Sequence, residues 1–188
     1  MSTTLQGIII GGTEYIAYVD LAFADQYLAA DPNAANWRAE EDDDVKGRAI
    51  IAATRVLNRL RWKGSLAEAG QDLAWPRKGA SDRNGAIDSD IIPAAVLDAC
   101  CELARLVIDG TDINAYRTSA QQKKRIKAGS VEVENFRGAE GVPTPLPWEA
   151  WSLISDLVGG TGLMQGSSST GTDLTTTTEP GYRPAWPI

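Results

Sequence analysis

Histidine is absent from this chain, and cysteine, methionine and phenylalanine occur only twice each. Without an imidazole, neither a Ser-His-Asp nor a Cys-His catalytic arrangement can be assembled. The two cysteines are adjacent, Cys100-Cys101, inside a helical pattern. Successive helical side chains diverge by about 100°, so a bridge between them would be strained. Both are expected as buried free thiols that pack like small apolar residues, and two thiols without histidine exclude the usual zinc sites. No apolar run approaches the roughly 20 residues of a membrane span. Met1-Ser2-Thr3-Thr4-Leu5 has no positive charge, and Ile8-Ile9-Ile10 is too short for a signal core. A cytosolic site of synthesis and no membrane partner are expected. Neither Gly11-Gly12 nor Gly159-Gly160-Thr161-Gly162 is followed by the Lys-Ser/Thr pair of a phosphate loop. Asp98 and Glu102 stand one helical turn apart but on a polar face, which reads as solvated surface. Asp42-Asp43-Asp44 reads as charge at a helix start. No catalytic, metal-binding or cofactor-binding residue is therefore expected, and the chain is not expected to be an enzyme.

What is present suits a domain of moderate size. Of 188 residues, 43% are hydrophobic and 23% charged, ordinary values for a globular protein. The net charge of −7 is unevenly spread. Residues 1–44 carry nine acidic groups against Arg38 alone, whereas residues 45–83 carry nine basic groups against Glu68, Asp72 and Asp82. Such a split suits copies packing head to tail, an arrangement that high salt should disrupt.

Periodicity places the elements. Residues 1–18 read as an extended N-terminal arm broken at Gly7 and Gly11-Gly12. Asp20 is a plausible N-cap for a helix to about Ala30, with Phe23, Ala24, Tyr27 and Leu28 inward, stopped by Asp31-Pro32-Asn33. The next helix starts in the acidic run Glu40–Asp44 and ends near Trp62. Val45, Ala49, Ala52, Ala53, Val56, Leu57 and Leu60 form its apolar arc, and Arg48, Arg55 and Arg59 form a basic stripe beside it. A third helix runs from Pro93 to Asp109. Its buried arc is Val96, Leu97, Cys100, Leu103, Ala104, Val107 and Ile108, with Asp98, Glu102, Arg105 and Asp109 opposite. Alternation around Gly129 predicts a β-hairpin near 124–136, and Trp148–Val158 a last helix. From Gly159 onward Gly, Ser and Thr dominate, a composition that buries too little apolar surface to order alone.

The loop between the second and third of these helices is conspicuous: Leu73-Ala74-Trp75-Pro76-Arg77, then Asp82-Arg83-Asn84-Gly85, then Ile91-Ile92-Pro93. Pro76 restricts Trp75 to extended geometry. The indole either anchors the loop on the helix pair or contacts another subunit, and Arg77 reaches a carboxylate or carbonyl. Interface candidates are Trp75, Pro76, Arg77, Arg125, Lys127, Tyr182, Arg183 and Trp186, types rich in interface hot spots among them. Lys123–Lys127 is the densest basic cluster, but Glu132 and Glu134 across the expected hairpin partly neutralise it, which favours a protein-facing or solvated hairpin. A sequence pI near 4.6 argues against general DNA binding, whose affinity comes mainly from phosphate neutralisation.

These features in this order resemble a family of small tailed-phage proteins described as DnaT-like single-stranded DNA-binding. The resemblance spans about residues 14–158: Tyr18-Val19-Asp20-Leu21 through Tyr27, the Ala52–Trp62 helix, the Trp-Pro-Arg loop, Asp82–Gly85, Ile92-Pro93 leading into Ala99–Leu106, and the hairpin at 125–136. Through its similarity to head–tail connector (adaptor) proteins, it implies a virion structural protein at the head–tail junction. Such a protein forms a homo-oligomeric ring, commonly of twelve copies, beneath the portal protein and docks a tail, nozzle or tail-terminator protein. Genomic DNA slides through the channel without sequence-specific binding. The expected fold is mainly α: a small helical bundle (19–158) with a β-hairpin and extended N- and C-terminal arms (1–18 and 159–188). The alternative is a single-stranded DNA-binding replication accessory that uses Arg48, Arg55, Arg59 and Lys123–Lys127, with tryptophan stacking.

Overall fold

The first turn is made by Gly11 and Gly12, both at positive φ (56° and 80°). Glycine takes that geometry without steric cost, and it matches the twist of a two-residue hairpin. Strand β1 (Gln6–Ile10) therefore folds back on β2 (Thr13–Ala17), with Ile10 opposite Thr13 and Ile8 opposite Tyr15. The structure, a computed structural model, describes residues 6–114, 126–128, 131–133 and 144–159. Within that range residues 6–17 are paired strands and not an extended arm.

Helix α1 (Leu21–Leu28) is capped as expected, the Asp20 carboxylate accepting from the Phe23 amide at 2.7 Å. Ala24 and Leu28 are buried, while Phe23 stays exposed and Tyr27 half-buried. A five-residue helix not anticipated from periodicity, α2 (Ala35–Ala39), buries Trp37. Helix α3 (Asp43–Asn58) starts at the N-cap Asp42, whose side chain accepts from the Asp44 amide at 2.8 Å. It ends four residues before Trp62. Its buried surface is wider than the predicted arc and takes in Lys46, Gly47, Ile50, Ile51 and Thr54. The N-terminal hairpin covers one flank of α3 and another helix covers the other. Lys46 is accommodated because its Nζ lies 3.0 Å from Asp25 Oδ1 and 5.4 Å above the Trp37 ring.

Gly47 permits the hairpin to approach. A Cβ there would stand 3.0 Å from Ile8 Cγ2 and 3.4 Å from Ile10 Cδ1. Gly47→Leu should push β1 off α3 and cost about 1–3 kcal/mol, the usual range for overpacking. Urea denaturation measures this, and an unchanged midpoint would mean that the hairpin does not depend on the close contact.

Helix α4 (Ala94–Ile108) is packed by α1, α2, α3 and α5 (Trp148–Ile154), the last followed by a 3-10 turn at Ser155–Leu157. Being covered from several sides, it buries Val96, Ala99, Cys100, Cys101, Leu103 and Ala104. Both thiols are free and buried, and burial pushes Cys100 up to about 12. The solvated polar face expected on α4 is corrected here. Arg105 is only 6% exposed. It lies 3.3 Å from Asp31, 3.1 Å from Glu102 and 3.1 Å from Asp109.

Between α3 and α4 the chain makes two small hairpins, β3 (Ser65–Leu66) with β4 (Arg77–Lys78) and β5 (Ser81–Asp82) with β6 (Gly85–Ala86). The Asp82 carboxylate accepts from the Asn84 and Gly85 amides and closes the second of them. A further pair, β7 (Ile126–Ala128) and β8 (Val131–Val133), flanks Gly129 and places Lys127 opposite Glu132. Among the described residues there are four two-stranded antiparallel sheets beside the helices. The architecture is a small mixed fold, which corrects the expectation of a mainly α bundle with extended arms. Strands of two residues carry no readable alternation, and the apolar run Ile8-Ile9-Ile10 hides it in β1.

Candidate nucleic-acid interface

The solvent-facing ridge of α3 carries the basic stripe. Arg48 and Arg55 are seven residues apart, so they share a face and stand about 10 Å apart along the axis; Arg59, one turn further, is the helix C-cap. All three are exposed. Arg48 pairs with Asp44 at 3.3 Å, while Arg55 and Arg59 make no ion pair among the described residues.

Beside this ridge the hairpin leaves an open groove of about 360 Å³ lined by Ile10, Tyr15, Arg48, Ile51 and Arg55. Ile8, Ile10 and Tyr15 lie on the hairpin face turned toward α3, since Tyr15 is directly opposite Ile8 and residues two apart share a face. Tyr15 is 37% exposed. An aromatic face and an apolar floor beside two guanidinium groups are the components from which single-stranded nucleic acid sites are made: bases stack and phosphates pair. A second groove of about 280 Å³ lies toward α4, lined by Glu40, Val45, Arg48, Ala49, Val107 and Ile108. Arg48 stands between the two.

Other candidates are placed elsewhere. Trp75 is fully buried, its ring edge-on to Trp62 with centroids 5.6 Å apart, so it anchors the core and offers no surface to a partner. The Trp75-Pro76 bond is cis, and the Pro76 carbonyl accepts from Ala67 N and Gln71 Nε2. Arg77 donates to the carbonyls of Lys63, Ala74 and Gly64 at 2.7, 3.0 and 2.7 Å, and burial lowers its pKa. It staples its own loop. The tryptophan stacking of the alternative reading meets the same limit. Trp37, Trp62 and Trp75 are buried and Trp151 is half-buried, leaving Trp148, 68% exposed, as the exposed indole among the described residues. Arg125, Tyr182, Arg183 and Trp186 lie outside the described residues, as do Lys123 and Lys124; Lys127 sits on β7.

Tyr15, Ile10 and Ile51 were missed in the sequence. The β-formers Thr13, Tyr15 and Ile16 directly after a Gly-Gly pair were the available signal for a strand carrying Tyr15. Away from the ridge, Phe23, Gln26 and Tyr27 line a third groove on α1. Its surroundings are acidic. The Tyr27 hydroxyl donates to Glu102 at 3.3 Å, and burial together with Glu102 holds the Asp98 carboxyl above the usual range. That face repels phosphate, whereas the ridge and the hairpin groove combine cations with an accessible ring.

No described helix is long and apolar enough to cross a membrane. A family model described as "Putative DnaT-like ssDNA binding protein" matches residues 10–170. No curated protein and no solved structure gives a significant match. The matched description speaks of single-stranded DNA. It overturns the expected head–tail adaptor, with its portal-bound ring, tail partner and passive DNA channel, in favour of the alternative. The adaptor reading rested on the resemblance to connector proteins, with the overall acidity counted against DNA binding, whereas the structure gathers Arg48, Arg55 and Arg59 on one exposed ridge. With most of its length matched, the chain belongs to the DnaT-like ssDNA-binding protein family.

Proposed function

We propose that the protein binds single-stranded DNA along the α3 ridge. Phosphates pair with Arg48, Arg55 and Arg59, and a base stacks on Tyr15 over the floor made by Ile10 and Ile51. The observation that carries this reading is the groove in which Tyr15 and two arginines converge, in a chain of this family. Single strands fit it better than duplex, because only an unpaired base presents its face to a ring in a shallow groove. The net charge of −7 confines the attraction to the ridge, and because salt also screens the repulsion from remote acidic groups, affinity should fall less steeply with salt than the ridge contacts alone would give. The proposed role is binding without catalysis.

Fluorescence anisotropy of a labelled oligo-dT across a salt series tests it. Arg55→Gln and Arg59→Gln should each weaken binding and reduce the slope of log K against log salt by about 0.7, the single-strand value per phosphate contact. Tyr15→Ala should cost about 1–3 kcal/mol with little change of slope, because stacking releases no counterions. Absence of binding by the wild-type protein at low salt, or binding indifferent to all three changes, would overturn the reading.

A further inference from the structure

Among the described residues, Arg48 is the one ridge arginine that already holds an anion. Its Nη2 lies 3.3 Å from Asp44 Oδ2, one helical turn earlier, and the two side chains are 60% and 42% exposed. Asp44 is in the first turn of α3, where the helix dipole favours a carboxylate. Its backbone amide is bound by the Asp42 side chain, which keeps this turn in place. A carboxylate on a guanidinium occupies the position that a phosphate oxygen would take. Arg48 also stands where the two grooves meet, so a strand following the ridge must pass it. Asp43, the neighbouring acid of the same turn, is exposed and makes no ion pair among the described residues.

We infer that Asp44 is a built-in competitor for the phosphate position on Arg48, so that engagement of this end of the ridge requires exchange of carboxylate for phosphate. The inference rests on the DNA-binding reading of the same ridge. Arg55 and Arg59 give their full electrostatic contribution from the start. Arg48 gives only the difference between its two anionic partners, and little counterion is released there. The device lowers affinity for phosphate at the N-terminal end of α3 and makes occupancy of that end depend on anchoring at Arg55 and Arg59.

The test compares Asp44→Asn with Asp43→Asn in the oligo-dT salt series, each also in an Arg48→Gln background, with circular dichroism melts to verify folding. Both acid changes remove one charge from the same turn, so only Asp44→Asn frees Arg48. Asp44→Asn is expected to tighten binding by about threefold to fivefold, the upper range for releasing an exposed pair, and to steepen the slope by about 0.7. Asp43→Asn should change affinity by less than about twofold, because an exposed charge without a partner acts only through a screened field. Replacement of Arg48 should abolish the Asp44 effect. If wild-type protein binds and Arg55→Gln weakens it, yet Asp44→Asn behaves like Asp43→Asn, the competitor role is wrong and the ridge reading survives. If neither wild type nor any variant binds, both fall together.

Discussion

Replacement of Arg105 by methionine is expected to destabilise the protein by about 3–5 kcal/mol, the cost of removing one partner from a buried ionic cluster. The Arg105 side chain is 8% exposed and faces three carboxylates that are themselves largely covered: Asp31 at 18%, Glu102 at 15% and Asp109 at 21%. Burial alone would lower the arginine's pKa, but hydrogen bonding and attraction from Glu102, then Asp31 and Asp109, raise it on balance. Methionine fills similar volume yet leaves three like charges facing one another. Two other groups tie the cluster to the fold, Tyr27 through Glu102 and Asn36 through Asp109 at 2.9 Å, so α1 and α2 should loosen from α4 together. At about 2–4 °C per kcal/mol for a chain of this size, the melting temperature should fall by roughly 6–20 °C. Arg105→Lys should recover part of the loss, because one ammonium cannot match the fork that reaches three acids. A melting temperature unchanged in Arg105→Met would show that the carboxylates find water instead.

Truncation of Trp75 to alanine should have a comparable effect, about 3–5 kcal/mol for a large buried aromatic. The ring is fully buried and packs edge-on against Trp62, which itself donates from Nε1 to the Leu57 carbonyl at 3.0 Å. Around it the Trp-Pro-Arg loop is held to α3 through Asn58, whose Oδ1 accepts from the Tyr18 hydroxyl at 2.6 Å and the Ala74 amide at 2.9 Å. Loss of the indole would leave these bonds spanning a cavity. Trp75→Phe makes an informative contrast. Trp75 Nε1 is buried with no hydrogen-bond partner among the described residues, and removing an unsatisfied donor recovers desolvation energy that partly offsets the smaller ring. Phenylalanine should therefore cost distinctly less than alanine in urea denaturation. Equal losses for the two variants would mean that the N–H is bonded after all, for instance to a buried water.

Local chemistry made several parts of this fold legible. Asp20 caps α1 because its carboxylate satisfies a free amide within a few residues, and the acidic run Glu40–Asp44 marked the start of α3. The basic stripe was readable because Arg48, Arg55 and Arg59 are spaced to share a helix face whatever packs behind them. For Arg77 the sequence left a carboxylate or a carbonyl open, and the structure supplies carbonyls. The burial of Arg105 was not legible. Helical periodicity assigned it to an outer face, and only the Asp31 turn and α2, closing over α4 from far along the chain, made that face an interior. The N-terminal arm failed similarly, since Ile8-Ile9-Ile10 shows no alternation until a partner strand is known.

By itself, then, the sequence determined the approximate positions of α1, α3, α4 and α5, the Asp20 cap, the absence of histidine-based chemistry, the free cysteines and the line of arginines along α3. Tertiary structure alone decided that Trp75 belongs to the core and Arg105 to a buried carboxylate cluster. It alone brought Tyr15, from a hairpin more than thirty residues upstream, against Arg48 and Arg55. The physical reason is the range of the interactions involved. Capping and helical phase act over a few residues, whereas burial and groove formation depend on which distant segments meet.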